Sequence, residues 1–327
     1  MASMIVRYED QGLLRWGVLT SPPPSRPDDV IEVVEVATEA GTTNGLLAAL
    51  ESDRRLAEQG RRLQISAKDL LSPITTDATL LCQGLNYGAH AAEAGHRERK
   101  QNLLFVKASS SLSGPYDDIV RPAGVELLDY EVEVGIVLRN DLTAGTIVVD
   151  ENIGSHVAGV VLCNDVSARD VMFGATFLQW FQGKSYRTFC PTGPVLYLLD
   201  EPEVAKTLAN LEISLTYKEA VRQSANTSQL IYKPAETLTQ VATIMDLRRG
   251  DTILTGTPGG VILKGTPKLI EIMKTQLLDD LRRRDEMRVE AKQHAAFLRP
   301  GDSVTLSLRD LHVNRELGGQ HCRVAAA

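Results

Sequence analysis

Short runs of β-branched and aliphatic residues, separated by Gly, Pro and Asp, recur along most of the chain beyond about residue 75. Runs of this length between turn-forming residues are typical of β-strands. The runs that predict strands are TLLCQGL, NLLFVKAS, DIVRP, EVEVGIVL, HVAGVVLCNDV, GPVLYLL, LEISLTY, DTILTGT and SVTLSL. Because few helical patterns lie between them, the spacing favours a closed or strongly curled sheet over a parallel sheet of βαβ units.

The N-terminal segment has a different pattern. MIVRYEDQGLLRWGVLT predicts two strands joined by a turn at Asp10-Gln11-Gly12, the proline-rich SPPPSRPDD follows, and a helical pattern begins at TNGLLAAL. We therefore predict a small α+β domain over residues 1–74 and a β-rich catalytic domain over residues 75–327.

One long helical pattern interrupts the β-rich part, over residues 267–296. Its apolar residues are predicted to form a stripe on one face, a stripe that an isolated surface helix would not keep. We expect this insert to dock on its own domain, on a partner subunit or at the mouth of the site. The predicted stripe comprises Leu269, Ile270, Met273, Leu277 and Leu281.

Composition excludes several classes of partner. The 327 residues are 43% hydrophobic and 24% charged, with a formal net charge of −7. No run of Lys and Arg stands beside clustered aromatic residues, so we expect no nucleic-acid partner. No apolar stretch approaches the roughly 18 residues that span a bilayer, and MASMIVRYEDQG does not resemble a secretion signal. We expect a soluble, cytoplasmic protein without a membrane partner.

Three carboxylates are candidate metal ligands. LLDYEVEVGIVL alternates like a strand, which places Glu131 and Glu133 on the same face. Asp165 follows the apolar run HVAGVVLCN, where a strand ends and a side chain can enter a cleft. Oxygen ligands of this kind suit Mg²⁺, Mn²⁺ or Ca²⁺. The alternatives are a solvated outer face for the two glutamates and a helix N-cap for Asp165.

His90 and Glu93 form a candidate acid–base pair, because a three-residue spacing on a short helix puts them on one face. An imidazole with a carboxylate partner is an efficient general base for water. A solvated histidine beside an i, i+3 glutamate is the alternative.

Two further segments carry candidate groups. Lys184 lies among the aromatic residues of FLQWFQGKSY and is either a cation facing a partly desolvated pocket or a surface lysine. TGTPGG, which contains Thr257, offers closely spaced donors for a carboxylate or oxyanion, or is a plain tight turn.

Taken in order along most of residues 75–265, these motifs resemble the fumarylacetoacetate hydrolase family. The matching segments are GLNYGAHAAE, DYEVEVGIVL, NDVSARD, QGKSYRTFCPTGP and GDTILTGTPGG, and FLRPGDSVTLSL resembles the closing strand. The resemblance implies a β-rich α+β fold with a rolled mixed β-sheet in the catalytic domain, and a homodimer. It implies catalytic roles for His90, Glu93 and Lys184, metal ligation by Glu131, Glu133 and Asp165, and substrate contacts by Tyr87, Arg169, Gln179, Gly256 and Thr257.

For the reaction, the resemblance implies metal-dependent hydrolysis of a carbon–carbon bond in a small 2,4-dioxo acid of the acylpyruvate or fumarylpyruvate type. His90 and Glu93 would deprotonate the attacking water, and Mg²⁺, or otherwise Mn²⁺ or Ca²⁺, would bind the 2-oxo acid. The alternatives within the same family are decarboxylation of oxaloacetate and hydration, isomerisation or tautomerisation of a 2-oxo acid. Outside enzymes, the alternative is a metal-stabilised binding module.

Overall fold

The computed structural model describes residues 3–94 and 101–327. The strands in these ranges are β1 (Ser3–Asp10), β2 (Leu13–Leu19), β3 (Val30–Glu35), β4 (Arg62–Ser66), β5 (Leu70–Leu71), β6 (Leu80–Gly84), β7 (Leu103–Lys107), β8 (Leu112–Ser113), β9 (Ile119–Arg121), β10 (Leu128–Asp129), β11 (Val132–Leu138), β12 (Val157–Asn164), β13 (Ser167–Ala168), β14 (Cys190–Leu198), β15 (Leu211–Tyr217), β16 (Ala220–Asn226), β17 (Thr252–Leu254), β18 (Ser303–Asp310) and β19 (Arg315–Ala326).

Most of the helices are short, and they lie between strands in the chain order. They are α1 (Thr43–Ser52), α2 (Gly88–Glu93), α3 (Ile153–His156), α4 (Arg169–Met172), α5 (Trp180–Lys184), α6 (Val204–Leu208), α7 (Pro234–Val241), α8 (Pro267–Thr275) and α9 (Asp280–His294). Within the described ranges, no helix is long and apolar enough to cross a bilayer.

Most strands belong to one mixed sheet of 12 strands, whose main path runs β4-β3-β2-β1-β14-β12-β11-β17-β6-β7. Its pairs are antiparallel except for β17 with β6 and for the short β8, which pairs with β14. A second, 5-stranded sheet has the order β16-β15-β18-β19-β9. Buried aliphatic side chains from both sheets share the largest core cluster, among them Val134, Val160, Leu215 and Leu306. These sheets confirm the predicted β-rich α+β class, and every predicted strand is present.

The predicted N-terminal hairpin is also confirmed. β1 and β2 pair antiparallel, and both turn residues have positive φ, 52° at Gln11 and 78° at Gly12. This hairpin joins the main sheet because β1 pairs with β14, with Ile5 opposite Leu196. Strands from the segment 1–74 therefore continue the sheet of the segment 75–327. The domain boundary near residue 74 stays a prediction.

The predicted single helix over 267–296 is wrong in detail, because the chain breaks it into α8 and α9. Helix α8 ends at Thr275, and the Asp279 side chain accepts a hydrogen bond from Arg282 N at the start of α9. The break reorients the stripe: Leu269 is buried, whereas Leu277 is 54% and Leu281 77% exposed.

Candidate metal centre and catalytic cavity

Glu131, Glu133 and Asp165 converge at the start of β11 and the end of β12, two neighbouring strands in the interior of the main sheet. Strand β11 begins at Val132, opposite Asn164 at the end of β12, so the two glutamates and Asp165 lie beside each other. One carboxylate oxygen from each residue lies within 4.8 Å of the others, and all three side chains are buried. The solvated-face alternative for the glutamates is therefore wrong. So is the N-cap alternative for Asp165, since Ala168 occupies the N-cap of α4.

Cationic side chains surround two of the three carboxylates. The Nζ of Lys184 donates to Glu131 Oε2 at 2.9 Å and to Ser167 Oγ at 2.9 Å, and it also donates to Asp165 Oδ2. Burial alone lowers the pKa of Lys184, but Asp165 and Glu131 outweigh it and raise the pKa above its usual value. Lys184 is thus a buried cation, and the surface-lysine alternative is wrong.

Two more cations complete this cluster. Lys107 Nζ donates to Asp165 Oδ1 at 2.5 Å, and its side chain is fully buried. Arg169 Nη2 lies 2.6 Å from Glu131 Oε1, while Arg169 Nε donates to Asp129 Oδ2 at 2.9 Å. Asp129 is fixed in turn by the backbone N–H groups of Ile262 and Leu263. Arg169 is therefore held by carboxylates on both sides.

Glu133 differs from the other two carboxylates, because no cationic side chain pairs with it among residues 3–94 and 101–327. Its Oε2 accepts a hydrogen bond from Gly256 N at 2.8 Å. Burial, Asp165 and Glu131 together raise the pKa of Glu133 well above its usual value. A buried carboxylate of this kind lacks a neutralising charge, which a hard divalent cation bound by oxygen ligands would supply. Glu131, Glu133 and Asp165 thus fit a metal site; the identity of the ion is a proposal.

His90 and Glu93 lie near each other without forming a hydrogen-bonded pair. His90 Nδ1 is 4.0 Å from Glu93 Oε2 and makes no hydrogen bond within the described ranges. Glu93 is instead 2.7 Å from Lys264 Nζ, and its Oε2 accepts from Gly260 N at 3.0 Å. Burial raises the pKa of Glu93, but His90, Lys264 and Gly260 outweigh it and lower the pKa to about 2. Glu93 therefore anchors α2 to the loop that contains TGTPGG.

A cavity of about 230 Å³ opens over this centre. The charged residues of its lining include Glu131, Arg169 and Lys184, and His90 and Thr257 also line it. Thr257 Oγ1 donates to Val132 O at 3.0 Å and accepts from Gln223 Nε2 at 2.8 Å. The Thr257 hydroxyl therefore already makes two hydrogen bonds within the protein. Gln223 holds the loop that contains TGTPGG against the start of β11.

Gly256, Tyr87 and Gln179 are the other predicted substrate contacts. Gly256 uses its N–H on Glu133. Tyr87 is buried and its hydroxyl has no hydrogen-bond partner in the described part of the chain. Gln179 Nε2 donates to Phe177 O at 3.1 Å. These three residues do not belong to the described cavity lining, so their contacts with substrate stay predictions.

Sequence reasoning missed Lys107, Asp129 and Gln223. Asp129 is the first residue of the motif DYEVEV and directly precedes Tyr130, so its place among the acidic residues of that motif is a signal in the sequence. Lys107 ends an apolar strand, and Gln223 lies on the polar strand β16. Neither residue carries a local signal, because their partners lie far away in the sequence.

The fold and site geometry can be compared with known proteins. The family model described as Fumarylacetoacetate (FAA) hydrolase C-terminal matches residues 79–325. The chain belongs to the fumarylacetoacetate hydrolase family. This family member is 38% identical over 208 residues to the mitochondrial oxaloacetate tautomerase FAHD2A of Bos taurus, a match that covers 64% of each chain. It is 34% identical over 241 residues to the mitochondrial oxaloacetate tautomerase Fahd2a of Rattus norvegicus, covering 73% of this chain and 71% of the relative.

Solved structures of the family agree with this fold. A fumarylacetoacetate hydrolase from Exiguobacterium antarcticum superposes with a TM-score of 0.72 at 27% identity, covering 99% of this chain and 100% of that one. A protein described as a probable 2-hydroxyhepta-2,4-diene-1,7-dioate isomerase from Mycobacterium abscessus gives 0.71 at 26% identity, covering 100% and 99%.

The named relatives are enzymes, but they do not share one reaction. Their names describe two tautomerases, an isomerase and a hydrolase. The match to the bovine protein spans 64% of that relative's length, so the reaction of the present chain is a proposal. The expected homodimer and cytoplasmic location also stay predictions, and the mammalian relatives named above are mitochondrial.

Proposed function

We propose that this family member is a divalent-metal-dependent enzyme that interconverts the enol and keto forms of a small 2-oxo acid. In the enol-to-keto direction, the enol oxygen loses a proton and carbon 3 gains one, so atoms and charge balance. The observation that carries the proposal is one cavity in which His90 faces the same space as Glu131, Arg169 and Lys184. The relatives named oxaloacetate tautomerases support it.

The head of the substrate belongs at the charged end of the cavity. A hard cation held by Glu131, Glu133 and Asp165 would polarise the carboxylate and 2-oxo oxygens of the acid. The three N–H donors of Lys184 are all used, by Glu131, Asp165 and Ser167. Lys184 therefore stabilises a developing enolate through its buried charge rather than by donating a new hydrogen bond.

His90 is the residue that moves the proton. It is 7% exposed and lines the cavity, and imidazole is the commonest general acid and base in enzymes. Its Nδ1 has no hydrogen-bond partner among the described residues, so this nitrogen is not committed to another group of the protein. A histidine in this setting can take a proton from one atom of the substrate and return it to another.

The position of Glu93 favours tautomerisation over the hydrolysis predicted from the sequence. A carboxylate hydrogen-bonded to the ring orients a histidine that activates water and stabilises its protonated form. Here the two side chains are 4.0 Å apart, and Glu93 is engaged by Lys264 and Gly260. Glu93 also lies outside the described lining of the cavity. The groups present therefore suit proton transfer to carbon better than attack by water.

Hydrolysis of a 2,4-dioxo acid is the second candidate. The observation in its favour is the apolar part of the cavity lining, which includes Leu269, Met273 and Met287. Space of this kind would accept the acyl part of an acylpyruvate. Decarboxylation of oxaloacetate needs the same charged end without a water-activating pair.

Two assays on one preparation separate these reactions. Ketonisation of enol-oxaloacetate is followed by its ultraviolet absorbance with saturating Mg²⁺, and cleavage of an acylpyruvate is followed under the same conditions. We expect ketonisation to be the faster reaction, to fall by about 10² or more in His90→Gln, and to fall by less than about tenfold in Glu93→Gln. If acylpyruvate cleavage is faster and drops by about 10² in Glu93→Gln, hydrolysis replaces tautomerisation as the function.

A further inference from the structure

The insert contributes apolar side chains to the wall of the cavity. Leu269 and Met273 of α8 and Met287 of α9 line it, together with Phe173 and Leu263. We propose that the substrate carries an uncharged, apolar group beyond its fourth carbon, and that α8 and α9 determine this specificity. The inference rests on the proposed function, because it takes the 2-oxo acid head to bind at the carboxylate triad.

The insert presents these side chains as part of a packed structure. Leu269, Ile272 and Met287 form a buried cluster with Phe173, Leu263 and Met273 packed against it. The N-cap of α8 is satisfied by Thr266, whose side chain accepts from Leu269 N at 3.1 Å. A cavity wall that belongs to a small core has a defined shape, which specificity requires.

An ion pair holds α9 against the body of the protein. Arg288 Nε donates to Asp170 Oδ2 at 2.8 Å, and Asp170 is fully buried. Asp170 also accepts from Glu126 N at 3.0 Å. Because Arg288 lies next to Met287 in the sequence, this attachment fixes the part of α9 that lines the cavity.

Charge is distributed unevenly along the cavity. Arg169 and Lys184 lie at the triad end, where carboxylates already pair with both. The other cation of the described lining, Lys264, pairs with Glu93 at 2.7 Å. A second carboxylate beside the insert would lose its hydration against Leu and Met side chains, and the charge of Lys264 is already shared with Glu93. An aliphatic tail would instead gain from burial.

Arg283 provides the competing explanation. It lies on α9, one turn before Met287, and is only 2% exposed. Its Nε and Nη1 make no hydrogen bond in the described ranges, although it is not a lining residue. A substrate that reached this guanidinium would need an anionic end, so the two explanations predict opposite ligand preferences.

The test is a calorimetric series of 2-oxo acids against the Mg²⁺-saturated enzyme. One arm comprises pyruvate, 2-oxobutyrate, 2-oxopentanoate and 2-oxohexanoate, and the other comprises 2-oxoglutarate and 2-oxoadipate, which carry a terminal carboxylate in place of the methyl group. We expect each added methylene beyond 2-oxobutyrate to tighten binding about fourfold. We expect 2-oxohexanoate to bind at least about tenfold more tightly than 2-oxoadipate. This ratio corresponds to the free energy lost when a charged group gives up one hydrogen bond to water without replacing it.

A variant pair locates the effect in the insert. Met287→Lys places a cation in the wall, and Leu278→Lys places one at a side chain that is 86% exposed on the same insert. The ratio of 2-oxohexanoate to 2-oxoadipate affinity should fall at least about tenfold in Met287→Lys and stay within about twofold in Leu278→Lys. If Met287→Lys does not fold, the ligand series measured on the wild type still tests the proposal.

The possible failures are distinguishable. If pyruvate and 2-oxobutyrate do not bind, the proposed function fails. If they bind but affinity does not rise with chain length, only the apolar tail is wrong. Tighter binding of 2-oxoadipate than of 2-oxohexanoate, reversed by Arg283→Met, would overturn the proposal in favour of an anionic tail.

Discussion

Replacing Lys107 by Met tests whether a buried cation missed by sequence reasoning holds the carboxylate centre together. The Lys107 side chain is fully buried, and its Nζ lies 2.5 Å from Oδ1 of Asp165, which is 1% exposed. Removing one partner of a buried ion pair costs about 3–5 kcal/mol, since the other charge stays behind. Asp165 retains Lys184, so we expect a loss near the lower end, about 3 kcal/mol.

The free energy of unfolding is measured by guanidinium denaturation with a chelator present. Lys206→Met is the matched control, because Lys206 lies 3.5 Å from Glu203 with the two side chains 60% and 41% exposed. Such a surface pair contributes less than about 1 kcal/mol.

A double-mutant cycle assigns the loss to the pair. In an Asp165→Asn background the effect of Lys107→Met on the free energy of unfolding should shrink by about 0.5–3 kcal/mol, the range of coupling energies for contacting residues. The reasoning would be refuted if Lys107→Met lowered the free energy of unfolding no more than Lys206→Met does. It would also be refuted if Lys107→Met caused the same loss in the wild type and in the Asp165→Asn variant.

Three other predictions address separate parts of the chain. Ile272→Ala should lower the free energy of unfolding by about 2–4 kcal/mol, because Ile272 is 2% exposed. Leu281→Ala should change it by no more than about 0.5 kcal/mol, because Leu281 is 77% exposed. Equal losses in denaturation experiments would contradict the packing of the insert. Glu133→Gln should leave the metal-free protein at least as stable as the wild type, because the Glu133 carboxylate lacks a cationic partner among the described residues. The same change should weaken Mn²⁺ binding at least about tenfold by calorimetry. Unchanged Mn²⁺ affinity would exclude Glu133 as a ligand. Because the pKa of Glu93 falls from 4.5 to about 2 in the folded protein, its carboxylate stabilises the fold above about pH 4.5, and this contribution is lost as the pH falls towards 2. The stability difference between wild type and Glu93→Gln should therefore close in that window, and a difference independent of pH would argue against the contacts of Glu93.

The strands could be predicted where their sequences alternate or form continuous apolar runs. β11 and β12 are buried along their whole length, which matches the runs EVEVGIVL and HVAGVVLCN. β16 and β19 were not predicted, because AVRQSAN and RELGGQHCRVAA are largely polar or glycine-containing. Their pairing with β15 and β18 supplies the order that their own sequences do not indicate.

Some residues of the site could likewise be predicted from local sequence patterns, and others could not. The period of two along a strand predicted that Glu131 and Glu133 share a face, and the strand end predicted Asp165 nearby. The pairing of Lys107 with Asp165 joins residues 58 positions apart, so no local pattern could indicate it. The apolar periodicity of residues 267–296 indicates one helix, but the side chain of Asp279 caps α9 and so begins a second one.

Deuterium exchange at carbon 3 of 2-oxobutyrate tests the central claim most directly, because it reports formation of the enolate without requiring knowledge of the natural substrate. The enzyme is incubated with 2-oxobutyrate in D₂O, and exchange is followed by NMR with Mg²⁺ or after verified metal removal. We predict enzyme-dependent exchange that requires Mg²⁺ and falls by about 10² or more in His90→Gln. Exchange that persists at full rate in the metal-free protein, or that is unchanged in His90→Gln, would contradict the proposal.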